Sequence, residues 1–565
     1  MVDADNAANN RTLTLNSTGT TTLGGAVGGT QSLLSLTTNA GGTTQVNGGG
    51  VTTTGAQTYN DAVVLGANTT LTTTSGPIQF AQDLSGAFTL TVNGGTGNVT
   101  FSNTIGAGAD PTGLNVTTSG NISFTGAVNI GGNLTVSGTN VTVSGGIFGS
   151  ATGNVQITQS GTLTIQDTTS VADDTTADIN ILGSFTQLSG GGGSTVSIQG
   201  DIVTSAGNSI TFNSPLTLTG NVLLQANGAG NIIFASTLDA DNAANNRTLT
   251  LNSTGTTSLG GVVGGTQSLL SITTDAGGTT QINGGEVRTT GTQTYNDDVV
   301  LGADTKITTS DNAIFFSDTV FLGNYALSIN AGNGVFTAGS SVMGTAGGNA
   351  RLILLGTGNF ISSDTAIDLT HVDLYIDTTG TGANVVLLNN LTARNLYFYR
   401  GTFNVSGRTL ATVGDLAMFG PAYNPNDPEW TGPDTRHAYF PTNTLAYYPG
   451  DGTYNNGTGA FSVSPTAQFA AGGLTGTTFT IGGNFYANGI DLNKGACTLN
   501  LPNNSGSHPI VNTGGSVTSN QWGIPYAVAF NLTVANVTAT GGMVAASTTG
   551  QNVVDGGGEH KLAVQ

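Results

Sequence analysis

The sequence predicts an all-β protein, a right-handed parallel β-helix, on three observations: a long block occurs twice, charged residues are scarce, and short alternating segments are punctuated by Gly-Asn corners. The block from Asp3 to Thr74 returns from Asp239 to Ser310 without a gap, and the copies are about four-fifths identical. Self-similarity of this kind marks repeat architectures, in which each unit buries its apolar face against its neighbours instead of closing a core of its own. A block this long holds several rungs.

Substitutions between the copies separate an interior from a surface. Apolar positions change within kind, as in Leu36 to Ile272, Val46 to Ile282, Leu71 to Ile307 and Ala26 to Val262. Polar positions change charge freely, as in Asn39 to Asp275, Gly50 to Glu286, Thr52 to Arg288, Ala62 to Asp298 and Thr70 to Lys306. A packed core under a tolerant surface behaves this way. The only acids and bases kept in both copies are those matching Asp3, Asp5, Arg11 and Asp61.

Of 565 residues only 7% are Asp, Glu, Lys or Arg, and 88 are Gly. No Glu precedes Glu286 and no Lys precedes Lys306, so helix formers are scarce. Thr, Val and Ile suit a pleated, half-buried surface, while Gly and Asn accept positive φ at corners. The 37% of hydrophobic residues argues against disorder.

Segments such as LTVSGTNVTVSG, VQITQ, LTIQ and ITFNSPLTLTG alternate with period two and read as strands. Gly-Asn heads such a strand at Gly97, Gly120, Gly132, Gly153, Gly207, Gly220 and Gly230. The recurrent intervals indicate coils on the order of 20 residues, each with two or three strands. An array of immunoglobulin-like sandwiches is disfavoured, because the first 300 residues hold no Trp and only Tyr59 and Tyr295 as tyrosines. An antiparallel meander is an alternative that periodicity alone does not exclude.

These Thr/Gly/Asn-rich repeats, above all GAQTYNDAVVLGANTTLTT and GTQTYNDDVVLGADTKITT, resemble the repeat regions of bacterial surface proteins of the filamentous haemagglutinin and autotransporter-passenger type. The resemblance covers roughly residues 1 to 390. It implies a β-helix shaft exported from the cell and displayed on, or shed from, the outer membrane, and it supplies no catalytic residues.

Charge and termini bear on partners and location. Net charge is −20, and no basic residue lies between Arg11 and Arg247, which excludes nucleic-acid binding for the first half and disfavours anionic membranes. No apolar run is long enough for a transmembrane helix. The absence of a Lys/Arg-led apolar opening, with an uncapped repeat at the first residue, reads as an internal fragment of an extracellular or outer-membrane protein. The single Cys497 forms no internal disulfide.

Composition changes near Arg394. We expect a repeat-built shaft over 1–393, an aromatic-rich β region over 394–550 and a flexible tail over 551–565. Seven of the 13 prolines lie between Pro421 and Pro465, which places a long loop or small subdomain at 420–457. This loop holds the candidate ligand site: Trp430, Tyr439, Tyr447 and Tyr448 offer ring faces for sugar CH groups, and Asp427 and Asp434 offer acceptors for hydroxyls. The competing reading is that these aromatics cap the end of the helix. Partners are then glycans or surface proteins of a host or neighbouring cell, or further copies of the chain.

No cofactor is expected. Asp173, Asp174 and Asp178 form the strongest acidic cluster and are a weak calcium candidate, at a spacing that matches neither an EF-hand nor a Gly-rich nonapeptide. A polysaccharide lyase or hydrolase would need placed carboxylates or a basic group; Arg400, Arg408, Asp415, Asp427 and His437 supply the residue types without a defining spacing. His371 and His508 read as structural. The expectation is a non-enzymatic structural or adhesive protein, with a self-assembling filament or surface-layer subunit as the alternative.

Overall fold

The computed structural model describes residues 1–356 except 6–10, 169–176 and 243–246; beyond 356 it describes the strands, with side chains for 368–378 and 391–397. Two compact units are present, Met1–Gly284 and Gly285–Gln565. Both are built from stacked parallel strands, and no described residue is helical. The expected β-solenoid is therefore the fold.

In the first unit the chain visits three faces in turn. Face I is an 11-stranded sheet from Thr12–Leu15 to Leu238–Ala240. Face II begins with Thr20–Leu23, passes through Ile105, whose bridges to Leu84 and Val128 join two runs of strands, and reaches Ser271–Thr274. Face III runs from Gly50–Thr53 to Thr279–Ile282. Each strand pairs with the strand one coil on, as Leu13 does with Leu36 and Ile122 with Val141. The coil is thus on the order of 20 residues, the value the Gly-Asn intervals indicate. The step from Leu163 to Val196 is longer, and it includes the 169–176 stretch.

Every strand alternates. In Ala62–Leu65, Val63 and Leu65 are buried and Val64 faces outward; in Thr69–Thr73, Thr70 and Thr72 face outward around buried Leu71. Inward aromatics stack from coil to coil: Tyr59, Phe80, Phe101 and Phe124 lie in one column with ring centroids 5.1, 4.8 and 5.2 Å apart. Nearly parallel rings at strand spacing follow from identical placement on successive rungs.

The Gly-Asn corners have a physical reason on both residues. A Cβ on Gly153 would collide with the carbonyl oxygen of Gly132, one coil below, so the corners approach too closely for a side chain. The following Asn turns its amide oxygen to the next coil: Asn98 Oδ1 accepts from the Asn121 N–H at 2.9 Å, and Asn140 Oδ1 from the Thr162 N–H at 2.8 Å. Backbone donors that the turn leaves without a ladder partner are thereby satisfied. Asp fills the same role. Asn39 Oδ1 accepts from Ser17 N–H and its counterpart Asp275 Oδ1 from Ser253 N–H, both at 2.7 Å.

The two copies of the block do not occupy equivalent faces. Thr12–Leu15 opens face I, whereas the same residues in the second copy, within Thr248–Ser253, lie on face II, immediately after the eleventh strand of face I. Likewise Thr20–Leu23 is on face II and Thr256–Leu259 on face III. The offset between copies is ten coils and one face.

Position in the stack also changes burial. Leu249 and Leu251 are fully buried between coils, while their counterparts Leu13 and Leu15, on the end strand of face I, are only half-buried. Leu249→Ala should lower unfolding free energy by about 2–5 kcal/mol and Leu13→Ala by far less. Denaturant titration of the two variants, identical in local sequence, checks this; equal losses would contradict the packing.

The second unit keeps three ladders. One runs through Glu286–Arg288, Thr305–Thr308, Ala326–Asn330, Arg351–Gly356, Ile367–Thr378 and Leu391–Arg400. There it forks: Leu391–Ala393 pairs with Leu410–Thr412, and Leu396–Phe398 with Leu416–Met418, and parallel strands continue along both branches. Strand pairing thus extends past Arg394, and one antiparallel pair joins Val517–Ser519 to Pro525–Ala527.

Candidate functional site

Trp430, Tyr439, Asp427 and Asp434 lie outside the described residues, as do Arg408, Asp415, His437 and His508. Tyr447 and Tyr448 fall on the strand Ala446–Tyr448, in register with Phe403 and Asn404 of the preceding coil. That strand and Thr453–Asn455 are the described parts of the 420–457 segment.

Asp173 and Asp174 also lie outside the described residues. Asp178 is buried, and both its oxygens serve the backbone: Oδ1 accepts from Thr168 N–H at 2.6 Å and Oδ2 from Asp201 N–H at 2.7 Å. Asp201 in turn accepts from Leu223 N–H at 2.6 Å. These carboxylates tie successive coils together as the corner asparagines do. Among the described residues no group of three or more His, Cys, Asp or Glu is placed to hold a metal ion.

The densest described polar cluster is in the second unit. Arg394 grips Asp373 through two hydrogen bonds, Nε to Oδ1 at 2.7 Å and Nη2 to Oδ2 at 2.8 Å, and its Nη1 donates to the Gly348 carbonyl. Asn395 adds a bond from Nδ2 to Asp373 Oδ1 at 2.7 Å. The hydrogen bond to Asp373 holds the Arg394 guanidinium above its ordinary pKa, against partial desolvation. Sequence reasoning missed this pair, although opposite charges set one coil apart were the available signal.

Beside it the outer face of the sheet changes character. The register column that starts with Glu286 and exposed Lys306 continues through Ser328 to Ile353, Tyr375 and Tyr397. These last three are almost fully buried although they stand on the outward side, and the tyrosine rings stack with centroids 4.7 Å apart. This cluster reads as packing: its carboxylate is held by arginine and asparagine. His371 is exposed on the neighbouring stretch of strand.

A second polar feature recurs in both copies of the block. Tyr59 O–H donates to Gln57 Oε1 at 3.0 Å, and Gln57 Nε2 donates to the Thr72 carbonyl at 2.8 Å, all inside the coil. Tyr295 and Gln293 repeat the arrangement. Burial pushes both phenols well above their ordinary range. A raised acid pKa favours the protonated folded state, so this stability is fully present below the unfolded tyrosine value, about 10, and is lost as pH rises beyond it. Denaturant midpoints should fall between pH 9 and 11, and less steeply in a Tyr59→Phe/Tyr295→Phe variant. An unchanged slope would mean that other groups govern the alkaline limb.

No protein-family model matches the chain, and no curated protein or solved structure proves similar to it. The fold itself defines the class: a β-solenoid repeat protein. Among the described residues no helix is long and apolar enough to cross a membrane.

Proposed function

We propose that the chain is a non-enzymatic structural or adhesive protein of the bacterial cell surface or its surroundings, a segment of a filamentous haemagglutinin-like exoprotein. The supporting observation is the in-register stack of coils, in which inward positions are held between the copies while outward ones change charge. A scaffold with a constrained interior and a freely varying exterior suits display better than catalysis, which needs fixed charged groups. On this reading residues 394–550 carry the ligand, because rigid scaffolds concentrate binding residues on irregular segments and this region holds the aromatics. The ligands are glycans or surface proteins of a host or neighbouring cell.

The full chain and a Tyr447→Ala/Tyr448→Ala variant, applied to a glycan array and to cultured cells, test the assignment. Binding by the parent that weakens about tenfold or more in the variant supports it. Binding that survives the substitutions would reduce the aromatics to packing. Fibres forming from purified chain without any binding would favour the assembly subunit instead.

A further inference from the structure

Face III of the first unit presents a lattice. Five successive strands, Thr69–Thr73, Thr89–Asn93, Gly113–Thr117, Asn133–Gly138 and Val155–Gln159, place two outward side chains each in unbroken register. Read as outward–inward–outward triplets they run T-L-T, T-V-N, N-V-T, T-V-S and Q-I-T. Rungs repeat at about 4.8 Å and the two columns stand about 6.7 Å apart, as strand geometry dictates. Every outward group is an uncharged hydroxyl or amide.

Two observations separate this face from ordinary solvated sheet. First, its polar groups are left to solvent: the side-chain hydrogen bond among these ten residues is a long one, Asn93 Nδ2 to Thr72 Oγ1 at 3.5 Å. Threonines elsewhere in the unit are consumed by the fold, as where Thr53 and Thr73 both donate to the Gly55 carbonyl at 2.6 Å. Second, folding does not require the lack of charge. The second copy carries exposed Lys306 where this face has Thr70, and Arg288 where the adjoining strand has Thr52.

We propose that this face binds ice. A rigid two-dimensional array of hydroxyls and methyls, with both spacings close to the oxygen repeats of hexagonal ice, holds a water layer that merges with a growing crystal. Its side chains are pre-organised by the buried rows beneath them, so little ordering cost remains on adsorption. Each contact is weak and water-mediated, and many act together. A single sugar chain would use one column and would be met by aromatic faces, which this surface lacks; a crystal surface uses both columns at once.

The test is uptake of the fluorescently labelled full chain into a slowly grown ice hemisphere, beside a labelled non-binding protein. The parent should be enriched in ice, and Thr70→Lys/Thr117→Lys should reduce uptake on the order of tenfold. Circular dichroism and thermal midpoint report folding, which the natural Lys306 indicates will hold. Val203→Lys, outward on face II, should leave uptake unchanged, and Thr135→Val, which keeps shape without adding charge, should lower it. Exclusion of the parent to the level of the control protein overturns the proposal. Equal loss from Val203→Lys overturns it as well, since charge alone would then be the cause.

Discussion

Leu65→Asp should unfold the coil it sits in, lowering stability by more than about 4 kcal/mol, while Val64→Asp at the next residue should cost little. Leu65 is buried in the stack, where a carboxylate would find no partner, and Val64 faces outward. Asn68→Asp supplies the neutral reference. Asn68 Oδ1 accepts from Thr89 N–H at 2.9 Å, and in the second copy Asp304 does the same for Ala326 N–H at 2.8 Å. Urea titration of the three variants gives the order directly. Equal tolerance at all three positions would mean that these strands do not pack as described.

Phe101→Ala is expected to cost about 3–5 kcal/mol, because its ring fills the middle of the Tyr59–Phe80–Phe101–Phe124 column. The loss falls on both coil interfaces that the ring joins. In a stack stabilised by nearest-neighbour contacts, weakening adjacent interfaces reduces cooperativity as well as stability. Calorimetry should therefore show a lower and broader first-unit transition. Phe101→Leu should recover part of the loss. A sharp, unshifted transition in Phe101→Ala would place the stabilising contacts elsewhere.

Much of this interior was legible in the sequence because the chain carries its own comparison. Leu36, Val46 and Leu71, conserved in kind between copies, are buried, and Gly50, Thr52, Ala62 and Thr70, which change to charged residues, lie outward. Ala26 and Val262 fit less well: both are only half-buried, and the inward residue of that turn is the adjacent Val27 or Val263. Coil length could be read from Gly-Asn intervals because one pair of residues serves each corner. What could not be read was pairing between coils. The Arg394–Asp373 grip and the outward but covered Tyr375 depend on which rungs become neighbours, and the composition of either segment carries no trace of that.

The single-face offset between the copies has an evolutionary meaning. A block of sequence that folds equally well on face I or face II is not addressed to a side of the coil; it takes its place from whichever strand precedes it. Duplication therefore need not span whole turns to be tolerated, and unequal exchange between the two blocks, removing the chain from Asp3 to Leu238, would leave every surviving strand with a partner of familiar sequence. Such a chain would lose ten coils and advance by one face. Length and the azimuth at which later residues are presented are thus coupled through a single genetic event, and lineages that gain or lose the block would turn their surfaces as they change their reach.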